Sequence, residues 1–112
     1  MKIIILVPIY NDWQSASKLL EEINSNIAGL ESQFSIIIIN DASTDQQSIN
    51  ALNTENLQSI KIINMKENRG HARCIATGLK HIFEKEEFDY VIPMDGDGED
   101  RPEEIKNFVE YI

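Results

Sequence analysis

The sequence lacks the features of several protein classes. One cysteine, Cys74, in 112 residues allows no internal disulfide and no metal site built from several thiolates. The longest apolar run, from Ile3 to Val7 and past Pro8 to Ile9, is far shorter than a membrane-spanning helix. The N-terminus has no charged, apolar and cleavage regions of a signal peptide. These absences favour a reduced, cytoplasmic protein.

Basic residues are also scarce. The chain has 10 Lys and Arg against 19 Asp and Glu, a net charge of −9, which argues against general nucleic-acid binding. Five of the ten bases fall in residues 61–83, whereas residues 84–112 hold eleven acids and three bases. An acidic cluster of that size is either a solvated face or a site for a cation.

Hydrophobic residues are plentiful, at 42% of the chain, and predict one folded domain over residues 1–112. Four β-branched or apolar runs predict buried strands. These are Lys2–Val7, Ser35–Ile39, Ile60–Met65 and Phe88–Met94. We expect Pro8 to end the first strand and Pro93 to end or bend the fourth, since proline has no N–H to donate.

Helical spacing of apolar residues separates the strands. One helix is predicted from Trp13, capped by Asn11 or Asp12, and another over Ala72–Phe83, with Asn68 as its cap. A last helix should follow Asp100, with Pro102 in its first turn. The Asn- and Gln-rich stretch 46–56 favours a short helix more weakly.

This alternation of strands and helices predicts a doubly wound α/β fold with a mainly parallel sheet. The simplest strand order is 3-2-1-4, in which the direction of winding reverses between strands 1 and 4. Ligands of open α/β sheets bind beyond the carboxyl ends of the strands at such a switch point.

Polar, turn-forming clusters follow three of the strands at this edge of the sheet. They are residues 8–12, 40–45 and 95–100. Asp95 and Asp97 lie two residues apart on a Gly-containing turn and should face Asp41 across the switch point. Carboxylates in this arrangement suit Mg²⁺ or Mn²⁺, whose open positions accept substrate phosphates. A solvated acidic turn is the alternative.

Other known sites do not fit. The chain has neither a GxGxxG dinucleotide motif nor a GxxxxGK[ST] phosphate loop. An EF-hand loop starting at Asp95 fails because Asp100 stands where that loop needs Gly, and Lys106 where it needs Glu.

Four segments together resemble successive signatures of the family 2 glycosyltransferases, which include dolichyl- and polyprenyl-phosphate sugar transferases. They are residues 7–11, 39–45, 68–73 and 95–103. The resemblance implies the GT-A fold, here its Rossmann-like, nucleotide-sugar-binding half. It also implies that the chain is truncated, since the acceptor half and the usual catalytic base lie outside it.

The resemblance also implies roles for individual residues. Those that would bind the nucleotide sugar are Pro8, Tyr10, Asp12, Ile39, Asp41, Asp95 and Gly96. Among them, Ile39 and Asp41 would contact the base, and Asp95 the ribose and diphosphate. Asp97 would bind the metal, with Glu99 as a second ligand where the family usually has Gln or Asn.

More ordinary structural roles remain open for several residues of the four segments. Asp41 suits a turn, because Asx residues favour such loops. Gly70 is expected at a close-packing position, and His71 on the solvated surface.

The resemblance implies a hexosyltransferase-like enzyme. It would transfer a sugar from a UDP- or GDP-linked donor, with inversion, to a hydroxyl group, a glycan or a lipid phosphate. Mg²⁺ or Mn²⁺ would be the cofactor. The location would be cytoplasmic, at the inner face of the membrane in a longer form. The alternative is a non-catalytic nucleotide- or partner-binding module that retains half of the fold.

Overall fold

The fold is built on a parallel four-stranded sheet. A computed structural model of the chain describes residues 1–50, 53–95 and 102–111. The strands are β1 (Lys2–Ile9), β2 (Gln33–Asn40), β3 (Leu57–Asn64) and β4 (Tyr90–Pro93). Their order is β3-β2-β1-β4, with every neighbouring pair parallel, which confirms the predicted topology.

Helices cover both faces of this sheet. They are α1 (Trp13–Asn26), α2 (His71–Lys85) and α3 (Glu104–Tyr111). Residues of α1 and α3 share one apolar core with one face of the sheet, and α2 packs on the other face. The doubly wound architecture is therefore confirmed. In the part of the chain that the structure describes, no helix is both long and apolar enough to cross a bilayer.

Pro8 does not end the first strand, contrary to the prediction. β1 continues through it to Ile9, and Pro8 pairs with Ile39 of β2. The carbonyl of Leu6 faces β4 and accepts from the N–H of Met94, so the nitrogen of Pro8, two residues on, faces the same side. β4 already ends at Pro93, opposite Leu6. Proline therefore removes no hydrogen bond of the sheet at this position.

The stretch 46–56 was predicted as a short helix, which is wrong for its described residues, 46–50 and 53–56. Hydrogen bonds instead hold this stretch against α1. The N–H of Asn50 donates to Oγ of Ser17 at 2.9 Å, and the N–H of Asn56 donates to Oδ1 of Asn24 at 2.7 Å. Ser17 and Asn24 are buried, so these bonds also satisfy polar groups beneath the loop.

The glycine at a close-packing position is Gly78 rather than Gly70, for which that role was predicted. A Cβ at Gly78, in the middle of α2, would lie 2.5 Å from Cδ1 of Leu6, so this is where the helix approaches the sheet closely. Gly70 has nothing within 4 Å of an added Cβ, which corrects the expectation of close packing there. Its φ of +90° is the reason for glycine, because side chains disfavour that conformation.

The last helix begins later than predicted. Pro102 lies in a turn before α3 rather than in its first turn, and its carbonyl accepts from the N–H of Ile105 at 3.1 Å. Ile105 is 2% exposed and fixes α3 to the core that also contains Trp13 of α1.

Candidate functional site

The loops after β1 and β2 are joined at the carboxyl edge of the sheet by Asn11. Its N–H donates to Oγ of Ser43 at 2.9 Å, and its side-chain amide donates to Oγ1 of Thr44 at 3.0 Å. Its Oδ1 accepts from the N–H of Asp45 at 2.9 Å. Asn11 has a φ of +63°, which asparagine tolerates better than most residues. The two loops therefore form one unit beside the switch point.

Asn40, the last residue of β2, organises the turn that follows it. Its Oδ1 accepts from the N–H of Ser43 at 3.0 Å, and its amide donates to Oδ1 of Asn64 at 2.9 Å. Ala42 in this turn has a φ of +56°. The side chain of Asn40 thus connects the turn to the end of β3 and compensates for the backbone conformation at Ala42.

Asp41 is nearly buried, at 4% exposure, and both of its carboxylate oxygens accept backbone hydrogen bonds. The N–H of Arg69 donates to Oδ1 at 2.8 Å, and the N–H of Gly70 donates to Oδ2 at 2.9 Å. These donors lie directly before α2, whose N-cap residue is Gly70. The predicted cap, Asn68, does not cap the helix. Its amide donates instead to the backbone carbonyl of Asp41 at 3.3 Å.

Cys74 lies beneath Asp41, in the first turns of α2, and is fully buried. Burial raises the pKa of its thiol to about 12, and a hydrogen bond and charge repulsion from the Asp41 carboxylate act in the same direction. The sulfur therefore stays protonated and belongs to the core.

Asp95, two residues beyond the end of β4, contacts the first residue of α2. Its Oδ1 lies 2.8 Å from Nε2 of His71. Since an ionised carboxylate only accepts hydrogen bonds, the ring nitrogen is the donor. Both side chains remain partly exposed, 59% for His71 and 39% for Asp95. His71 is therefore more than the solvated surface residue that the sequence suggested.

The other predicted nucleotide-binding residues differ in their accessibility. Tyr10 is 49% exposed. Asp12 caps α1, with Oδ1 accepting from the N–H of Ser15 at 3.3 Å, one of the two caps predicted. Pro8 and Ile39 are buried, and the Ile39 side chain, 0% exposed, packs in the core beneath α2. Contact between a base and Ile39 would therefore involve the backbone of Ile39, and the predicted contact stays a prediction.

Three predicted residues, Gly96, Asp97 and Glu99, lie outside the described residues. Elsewhere, in the ranges 1–50, 53–95 and 102–111, no three His, Cys, Asp or Glu side chains come together as a metal site would require. The prediction of Asp97 and Glu99 as ligands therefore stays a prediction.

Sequence reasoning missed the structural roles of Asn11 and His71 and the role of Asp41 as a cap. The signal for Asn11 was its type, since asparagine in a turn tolerates positive φ. The signal for His71 was its place within the motif 68–73, close to the predicted helix start. Neither signal names the partner side chain, which lies at least 24 residues away in the chain.

Comparisons with known proteins agree with this geometry. Crystal structures of S. aureus TarS superpose on the whole of this chain. One has a TM-score of 0.75 at 24% identity over 19% of its own length. A structure of TarS 1–349 in complex with UDP-GlcNAc has a TM-score of 0.60 at 24% identity over 31% of its length. The chain thus spans less than a third of the proteins it matches and shares the fold of that part.

The family comparison covers almost the whole sequence. The model of glycosyl transferase family 2 matches residues 4–112, a range that includes all four segments noted above. The chain therefore belongs to glycosyl transferase family 2.

Proposed function

We propose that this chain binds a nucleotide-diphosphate sugar at the carboxyl edge of its sheet and is the donor-binding part of an inverting glycosyltransferase. One observation supports this more than any other. Asp41, after β2, accepts from the N–H groups of Arg69 and Gly70, and Asp95, after β4, accepts from the side chain of the next residue, His71. The two carboxylates assigned to the nucleotide thus flank β1, where open α/β sheets bind ligands.

The nucleoside would lie at the end of β1 and β2. Each carboxylate oxygen of Asp41 accepts one backbone hydrogen bond, which leaves capacity for a further donor such as a base N–H. The exposed ring of Tyr10 offers an aromatic surface beside this loop. Asn11 holds the loops after β1 and β2 in one arrangement, so the nucleoside would meet a site that is already ordered.

The diphosphate would lie toward β4, with a divalent cation. The residues that would hold Mg²⁺ or Mn²⁺ are Asp97 and Glu99, and Gly96 would allow the backbone to approach the phosphates. This donor set consists of carboxylate oxygens, which hard cations prefer. The cation would offset repulsion between the phosphates and the carboxylates, and stabilise the charge of the departing diphosphate.

The donor proposed first is UDP-linked, because the structural neighbour TarS was crystallised with UDP-GlcNAc. The acceptor would be a hydroxyl group, a glycan or a lipid phosphate. The catalytic base is expected outside this chain. Nucleotide binding is therefore the property by which the 112-residue chain is to be tested.

The test is calorimetric titration of UDP, GDP and dTDP into the chain, each with Mn²⁺ and with EDTA. We expect one nucleotide, UDP first, to bind in the presence of Mn²⁺ and to bind much more weakly in EDTA. Asp97→Ala should abolish the metal-dependent part of the affinity. Glu84→Ala removes the same charge from an exposed position late in α2 and should leave binding unchanged.

Circular dichroism should first show that each variant is folded. No binding of any nucleotide by the folded wild-type chain would contradict the proposal. Equal binding in Mn²⁺ and EDTA would contradict a role of the metal in nucleotide binding. Equal effects of Asp97→Ala and Glu84→Ala would contradict the role of Asp97.

Exposed aromatic side chains favour a second candidate, a non-catalytic partner-binding module. Tyr90 of β4 and Phe108 of α3 form an edge-to-face pair with ring centroids 5.9 Å apart, and each is 37% exposed. Tyr111 is 91% exposed. A folded chain that bound no nucleotide but associated through this surface, with association lost in Tyr90→Ser, would support the module.

A further inference from the structure

We propose that His71 is a positioning residue that holds Asp95 in the orientation required by a nucleotide diphosphate. This inference rests on the proposed function. His71 donates from Nε2 to Oδ1 of Asp95 across 2.8 Å, from the first residue of α2 to the loop after β4. His71 belongs to α2 and Asp95 follows β4, so the contact joins two separate elements at the edge of the site.

The backbone beneath His71 is fixed by neighbouring bonds. The N–H groups of Arg69 and Gly70 donate to the buried carboxylate of Asp41, and Gly70 has a φ of +90°. His71 follows directly, so its ring projects from a segment anchored on β2. The two carboxylates are therefore held by consecutive residues, Asp41 by the backbone of Arg69 and Gly70 and Asp95 by the side chain of His71.

The two carboxylates differ in how firmly they are held. Asp41 is 4% exposed and accepts two backbone bonds, whereas the Asp95 side chain is 39% exposed. An exposed side chain samples several rotamers unless a partner selects one, and a positioned hydrogen bond supplies that selection. His71 gives Asp95 a donor from a different element of the fold, α2.

The contact contributes little to folding, because exposed ion pairs typically have small effects on stability. Its removal should therefore change ligand binding without unfolding the chain. An N–H group beside Asp95 also lowers the negative potential that an incoming diphosphate meets. Both effects predict weaker binding of a nucleotide diphosphate when the imidazole is removed.

The experiment measures the Kd of UDP in Mn²⁺ for His71→Leu and His71→Gln. Leucine removes the donor, and we expect the affinity to fall about 10-fold. Glutamine retains a donor on a side chain of similar reach and should restore the affinity to within about 3-fold of wild type. His81→Leu is the matched control on the same helix, where Nε2 lies 3.3 Å from Oε2 of Glu86 at the opposite edge of the sheet. It should leave the Kd unchanged.

A double-mutant cycle with Asp95→Asn separates positioning from a general structural effect. If His71 acts through Asp95, His71→Leu should have little further effect on the Kd in the Asp95→Asn background. Additive losses would overturn the inference, as would an unchanged Kd in His71→Leu. If wild type itself bound no nucleotide, the proposed function would fail and this inference with it. Wild-type binding with an unaffected His71→Leu would overturn the inference alone.

Discussion

The Asp41 carboxylate accepts a hydrogen bond from the N–H of Gly70 at 2.9 Å, so the end of β2 holds the start of α2. Gly70 is the N-cap residue and has no side chain with which to cap the helix. Asp41 supplies this function from a residue 29 positions away. The structural role and the proposed contact with the base are compatible, because the carboxylate has lone pairs to spare.

Asp41→Ala should lower the free energy of unfolding by about 1–3 kcal/mol, because it leaves two backbone N–H groups without their acceptor. Urea denaturation followed by circular dichroism measures the change. Asp45→Ala is the matched control in the same loop, since Asp45 is exposed and its hydrogen bond to Asn11 is made by its backbone N–H. We expect a change within about 0.5 kcal/mol for that variant. Equal effects of the two substitutions would contradict the capping role of Asp41.

Gly78→Ala should also destabilise the fold, by about 1–3 kcal/mol, although alanine has a higher helix propensity than glycine. The added Cβ would lie 2.5 Å and 2.9 Å from the two Cδ atoms of Leu6, a fully buried side chain of β1. Urea denaturation measures the loss. Leu6→Val removes the crowding atoms, so the double variant should be more stable than the sum of the two single effects predicts. Strict additivity would show that the contact with Leu6 is not the cause.

The strand order could be predicted from the sequence because it depends on local patterns and general rules. Continuous runs such as Ile36–Ile39 require burial on both faces, and buried parallel strands joined by right-handed crossovers leave few topologies. The same rules placed Asp41 and Asp95 at one edge of the sheet. The edge of the site was thus predictable before any contact was known.

Contacts that depend on the three-dimensional neighbour could not be predicted. Pro8 would end the strand only if its missing N–H cost a hydrogen bond to a neighbouring strand. β4 stops before that position, at the pair of Leu6 with Pro93, so no such bond is lost. The pairing of His71 with Asp95 joins residues 24 positions apart, and nothing in either segment specifies the other. Gly70 and Gly78 look alike in sequence, but one has a positive φ and the other a close neighbour.

Ion pairs occupy the opposite edge of the sheet. Nζ of Lys61 donates to Oε1 of Glu86 at 2.9 Å, and Nζ of Lys2 to Oε2 of Glu87 at 2.7 Å. The Lys61 hydrogen bond lowers the pKa of Glu86, with further lowering from the charge of Lys61 and from His81, while burial opposes these effects.

The pair of Lys61 and Glu86 predicts a pH dependence of stability. Because the folded pKa of Glu86 is depressed, its contribution is present above the unfolded value, about 4.3, and is lost as the pH falls through the folded value. Lys61→Met should cost about 0.5–1 kcal/mol at neutral pH, and this cost should shrink as the pH falls from about 5 toward 2. Urea denaturation of both proteins across that pH range measures the cost of the substitution. Lys80→Met, at an exposed position of α2, is the control and should show no such trend. A cost for Lys61→Met that persisted at low pH would contradict the assignment.

Cys74 should resist thiol reagents in the native chain. Burial raises the pKa of its thiol to about 12, so at pH 8 only about one thiol in 10⁴ is the reactive thiolate, and the side chain is fully buried. Absorbance after addition of a disulfide reagent should show almost no reaction in buffer and one equivalent in guanidinium chloride. Ala76→Cys places a second thiol on the exposed side of α2 and should give one fast and one slow equivalent. If Cys74 reacted as fast as the thiol at position 76, α2 would not pack on the sheet as described, since that packing buries Cys74 beside Asp41 and leaves position 76 exposed.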